Sequence, residues 1–98
     1  MLTKTLLMNL IKKININLLA MDILIFKTNV SNREHVESVR PYLRGLTEIL
    51  KWNFDLLDEE FILRIEAEND LNPRKVENTL HSAGYFCREM ETFTRVPL

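Results

Sequence analysis

Residues 49–68 read Ile49-Leu-Lys-Trp-Asn-Phe-Asp55, then Leu56 to Glu60, then Phe61-Ile-Leu-Arg-Ile-Glu-Ala-Glu68. Successive side chains of a strand point to opposite faces, so strict alternation of apolar and polar residues marks a half-buried strand. The first run places Leu50, Trp52 and Phe54 on one face and Lys51, Asn53 and Asp55 on the other. The second places Phe61, Leu63, Ile65 and Ala67 on one parity, against Arg64, Glu66 and Glu68. Short, acidic Leu56 to Glu60 between them turns the chain, and the pair reads as a hairpin.

Outward from the hairpin, each side repeats one pattern. Upstream, Asp22-Ile-Leu-Ile-Phe-Lys-Thr28 is rich in β-branched and aromatic residues on both parities, which suits a central strand covered on one face. Ser31 followed by Glu34 has the capping-box spacing that opens a helix. Val36, Val39, Leu43 and Leu46 give that helix a buried stripe, with Glu37, Arg40 and Arg44 outward. Pro41 removes one intrahelical hydrogen bond, so a bend or a shortened helix is expected there. Downstream, Asn72-Pro73 sets a capping side chain before a proline at the first helical position. Val76, Leu80 and Ala83 face inward until Gly84, and Tyr85 to Met90 supply a last strand. The order is strand, helix, strand, strand, helix, strand: an α+β domain over about residues 21–91, its antiparallel sheet covered on one face by two helices. Residues 92–98 are expected to form a short tail.

Composition narrows the function. The 98 residues are a single-domain length, and 46% hydrophobic with 28% charged residues is the balance of a folded chain. The formal net charge of -1 hides an asymmetry: Lys4, Lys12 and Lys13 make residues 1–21 basic, while the remainder has an acidic excess. An acidic domain is a poor polyanion binder, which argues against nucleic acid. One cysteine, Cys87, permits no internal disulfide and fits a reducing compartment, so a cytoplasmic location is expected. Residues 1–20 carry Leu6, Leu7, Leu10, Ile14 and Leu18 at helical spacing, but Lys12 and Lys13 interrupt the apolar run short of the ~20 residues a bilayer span requires. No membrane span is expected. This segment reads as an amphipathic helix or as an extension outside the working domain, with Met21 as a candidate natural start.

The element order, the loop after the first strand, Trp52-Asn53-Phe54-Asp55 and Ala83-Gly84-Tyr85 together resemble the heavy-metal-associated (HMA) domain family of copper chaperones and metal-pump modules. The resemblance spans about Asp22 to Glu91 and implies a ferredoxin-like βαββαβ sandwich with sheet order 4-1-3-2. It also implies soft-metal binding through a Met-x-Cys-x-x-Cys loop entering the first helix. Val30 takes the methionine position, Asn32 the first cysteine and His35 the second, so both thiolates are absent. A neutral amide oxygen and one imidazole do not replace two thiolates as a Cu(I) site, and they leave Zn(II) short of donors.

The remaining candidates each have a plain reading beside the functional one. His35 is a polar residue on an exposed first helical turn or a metal ligand. Cys87 is a buried thiol or, since the last strand starts beside the end of the first, the partner of His35 in a Cu or Zn site. His81 reads as solvated, Trp52 as core rather than a stacking platform, and Asp58-Glu59-Glu60 as a hydrated turn rather than a cation site. No nucleophile, base and orienting group can be assembled, so no enzyme is expected. The expected function is that of a degenerate HMA-like domain without cofactor, acting on a protein partner or as a homodimer through its sheet edges. A metallochaperone-like or transport-related module using His35, and a small-ligand sensor at a dimer interface, are its alternatives.

Overall fold

A computed structural model describes residues 21–68 and 70–95. The expectations for residues 1–20 and for the end of the tail lie outside the described residues. The chain folds as β1 (Met21–Thr28), α1 (Arg33–Arg44), β2 (Ile49–Asp55), β3 (Ile62–Glu68), α2 (Pro73–Ser82) and β4 (Cys87–Arg95). The sheet order is β2-β3-β1-β4, and every neighbouring pair is antiparallel. This is the expected order read from the opposite edge.

The two helices cover one face of the sheet. Leu24 and Phe26 of β1, with Leu63, Ile65 and Ala67 of β3, are fully buried beneath Val39 and Leu43 of α1 and Val76 and Leu80 of α2. On the other parity of β1, Ile23 and Ile25 are half-buried on the open face.

Helix α2 follows its sequence signals closely. Asn72 accepts a hydrogen bond from the Arg74 amide and Pro73 opens the helix. At the other end the Gly84 amide donates to the His81 carbonyl and the Tyr85 amide to the Leu80 carbonyl, the two bonds of a Schellman motif. Gly84 supplies the left-handed conformation, φ +93°, that this ending demands.

Helix α1 continues through Pro41 and ends at Arg44, before Leu46 of the expected stripe; Pro41 is exposed, where a carbonyl lacking its usual donor can be hydrated. Three further local expectations are corrected. In β2 the register shifts between Ile49 and Lys51, so Leu50 is an extra residue that loops outward, 44% exposed. Ile49, rather than Leu50, therefore joins Trp52 and Phe54 against the core. Phe61 stands just before β3 rather than inside it, with a left-handed backbone, φ +46°. Strand β4 runs on to Arg95, because residues 91–95 pair along Met21 to Ile25 although the side chains of Glu91, Thr92, Phe93 and Thr94 are exposed.

Candidate functional site

The loop in which the resemblance puts metal ligands joins β1 to α1 and is built around Thr28. This threonine is buried; its hydroxyl donates to the Phe61 carbonyl at 2.6 Å and accepts from the Val30 amide at 3.1 Å. Val30, at the position of the family's methionine, is fully buried and anchors the loop to the core. Asn29 ties the loop to the start of β4: its side-chain oxygen accepts from the Phe86 amide at 2.8 Å, and its amide donates to the Phe86 carbonyl.

The helix cap falls one residue later than the Ser31 and Glu34 spacing predicts. Asn32 is the N-cap, its side-chain oxygen accepting the His35 amide at 2.9 Å. His35 completes the reciprocal half: its Nδ1 accepts the Ser31 amide at 3.2 Å. A ring nitrogen stands where a carboxylate was expected, because at the third helical position His35 is the residue that faces back over the cap. In the tautomer that accepts at Nδ1 the ring proton is on Nε2; the Ser31 hydroxyl lies 3.3 Å from Nδ1 and the Asn32 side-chain nitrogen 3.4 Å from Nε2. The ring also packs on Tyr85, centroids 5.2 Å apart.

Coordination of a metal ion by Nε2 would move the ring proton to Nδ1, break the hydrogen bond from the Ser31 N–H and turn the ring to the Ser31 hydroxyl 3.3 Å away, so the cap would have to rearrange. Coordination by Nδ1 would displace that N–H outright. Asn32 has committed its only acceptor oxygen to the cap. Cys87 is buried, and desolvation, with a smaller contribution from the negative charge of Glu77, pushes its thiol up to about 12. A soft-metal site requires the opposite, thiols driven toward thiolate. Among the described residues, no three His, Cys, Asp or Glu side chains are grouped to hold a metal. The residues of the loop do not fit the ion.

The other candidates have local duties. His81 is not merely solvated: its Nε2 lies 3.1 Å from the Cys87 carbonyl, bridging α2 to β4. Asp58 accepts the Glu60 amide at 2.7 Å and Glu60 pairs with Lys27, so the acidic turn is partly engaged in shaping itself. Trp52 is half-buried, packing edge-on to Phe54.

One feature escapes sequence reasoning. Arg40, expected to point outward, lies 5.1 Å above the Trp52 ring, held by two hydrogen bonds to the Glu37 carboxylate at 3.0 and 3.1 Å. The pairing holds the Glu37 carboxyl below its ordinary range and raises the Arg40 guanidinium. Together they form one wall of an open groove of about 700 Å³ between α1 and β2. The three-residue spacing of Glu37 and Arg40 was a legible signal; their approach to Trp52 depends on how α1 crosses the sheet.

No family model matches the chain, and no curated protein matches it. Solved structures do. The copper(I)-loaded first domain of the human copper chaperone for SOD1 is 18% identical, with a TM-score of 0.62, over 74% of this chain and 97% of that one. The yeast copper transporter domain CCC2A, solved in apo and Cu(I)-loaded states, is 13% identical with a TM-score of 0.62, over 71% and 96%. The N-terminal domain of ZntA in its apo form is 22% identical with a TM-score of 0.59, over 72% and 94%. At these identities the likeness establishes the fold: a ferredoxin-like sandwich of the HMA type.

Proposed function

From that fold and a loop that does not fit a metal, we propose that the chain is a non-catalytic, cytoplasmic HMA-like domain that binds another protein rather than an ion. The observation that supports this most strongly is the hydrogen bond from the Ser31 amide to His35 Nδ1. It makes the loop a helix cap, whereas a trafficking site must offer its donors to an incoming ion.

The test is native mass spectrometry of the full chain, reduced, with Cu(I), with Zn(II) and with neither. The expected result is no stoichiometric metal under any condition. One tightly held ion per chain or per dimer, lost in both His35→Ala and Cys87→Ala variants that remain folded by circular dichroism, would overturn the proposal. It would establish the alternative, a metal carrier using His35 and Cys87.

A further inference from the structure

The groove between α1 and β2 has three properties that occur together nowhere else among the described residues. Its floor is apolar: Val36, Trp52, Phe54 and Leu56 line it, all half-buried, and the bulged Leu50 stands at its edge. It borders a free strand edge, since among the described residues β2 is an outer strand that pairs with β3 alone. Its rim is cationic, with Arg33, Arg40 and Lys51 against the single carboxylate of Glu37. Glu37 is already satisfied by Arg40, and neither Arg33 nor Lys51 forms an ion pair among the described residues. This basic rim belongs to a domain whose residues 22–98 carry an acidic excess.

We propose that this groove is the protein-binding site, and that its occupant is an extended acidic peptide added to β2 as a fifth strand. The inference rests on the protein-association reading and names where association occurs. A strand lying against β2 would satisfy the outer backbone donors and acceptors of that edge. Its alternate apolar side chains would enter the trough over Trp52 and Phe54, and its Asp or Glu residues would meet Arg33 and Lys51. The Arg40 guanidinium, held over Trp52 by its two hydrogen bonds to Glu37, is in place before a ligand arrives and loses little freedom on binding. Charge also separates this occupant from its competitors. A second copy of the same groove would oppose Arg33 and Lys51 to themselves, and the basic residues 1–20 carry the wrong sign for the rim. The other outer strand, β4, has exposed Met90 and Phe93 but presents Glu89 and Glu91 beside them.

The probe is a display pool of randomised peptides of about twelve residues, panned on the full chain at low salt. Sequences alternating apolar residues with Asp or Glu should be enriched. Synthesised and titrated into isotope-labelled protein, the leading sequence should shift the amide resonances of Leu50 to Phe54 and quench the fluorescence of the lone tryptophan, Trp52. The double variant Arg33→Glu with Lys51→Glu should bind it at least about tenfold more weakly, since each change converts an attraction into a repulsion. Enrichment of basic or uncharged sequences, enrichment of none, or an unchanged affinity in the double variant would each overturn the groove proposal. Shifts centred on Met90 to Phe93 would overturn it too, while leaving protein association intact. Stoichiometric metal in the mass spectra is the separate result that removes the association reading itself.

Discussion

The two ends of helix α1's exposed surface are built on opposite plans. At its N-terminus, the loop's polar groups are turned on one another: Thr28 on Phe61 and Val30, Asn32 on His35, His35 on Ser31. Along its flank, the groove over Trp52 keeps an apolar trough and, among the described residues, a free strand edge and two cations without an ion pair. The first region is where the resemblance in sequence implies a metal loop; the second is where unspent interaction capacity lies. A buried polar group without a partner is costly, whereas an exposed cation over an apolar floor is nearly free to keep. Substitutions should therefore be felt as stability in the loop and as binding in the groove.

The largest effect is expected at Thr28. Thr28→Val keeps the shape of the side chain but orphans the buried Val30 amide, at roughly 1–3 kcal/mol, and removes the donor to the part-buried Phe61 carbonyl, at about 1 kcal/mol. A loss of about 2–4 kcal/mol in urea unfolding is expected, and a change under about 0.5 kcal/mol would mean that the loop is not held as described. Phe61 sharpens this result. Its left-handed backbone persists because neighbouring bonds fix it: its amide donates to Asp58, and its carbonyl receives the Thr28 hydroxyl.

Cys87 gives the next largest effect, and it depends on pH. Its thiol stands at about 12 in the folded protein against 9.0 for an unperturbed one. A raised value means that the folded state holds the proton more tightly. Its contribution to stability is then complete below about pH 9 and declines as pH rises from 9 toward 12. One unit above the unfolded value, the loss is about 1.4 kcal/mol. Comparing urea midpoints at pH 8 and pH 10 for the wild type and Cys87→Val isolates this from other titrating groups, because the decline should be smaller in the variant. Equal declines would show that the thiol ionises as readily folded as unfolded.

How much of this was visible in the sequence depends on whether the signal was local. Helix α2 was legible from Asn72-Pro73 to Gly84 because both caps are made by residues adjacent to the elements they end. The sheet order followed from element order and resemblance, and the absence of both loop thiolates was plain at Asn32 and His35. The cap of α1 was misread by one residue, since Ser31 with Glu34 and Asn32 with His35 are both plausible pairs and only the backbone path chooses between them. The inward parity of β2 at Ile49 was hidden by a bulge, which adds a residue without any glycine or proline to announce it. Residues 92–95 read as tail because β4 is held there by backbone pairing to β1 rather than by burying its own side chains. The groove was invisible for a similar reason: Arg40 and Trp52 are twelve residues apart and meet only through packing.

Asn32→Ala tests the cap directly. Loss of the side-chain acceptor for the His35 amide should cost about 1 kcal/mol, the usual magnitude for removing an N-cap. It should also loosen the His35 ring from Tyr85, seen as altered ring resonances of both. If Ser31 were the true cap, Ser31→Ala would cost the larger amount and Asn32→Ala almost nothing.

The smallest stability change is expected from the groove, and its smallness is what the comparison requires. Arg33→Glu and Lys51→Glu remove no buried contact and no ion pair among the described residues, so each should move the unfolding free energy by less than about 0.5 kcal/mol. Against that flat background, a tenfold or greater loss of acidic-peptide binding in the double variant would be a property of the surface alone. The weakening should shrink as salt is raised from about 0.05 to 0.5 M, because exposed charges are screened over a Debye length that falls below 10 Å in that range. Asn32→Ala provides the inverse control: it should lower stability while leaving peptide affinity within about twofold. Should the groove variants unfold the domain, or Asn32→Ala abolish binding, the separation between a spent loop and an unspent groove would fail, since structure and recognition would then share the same residues.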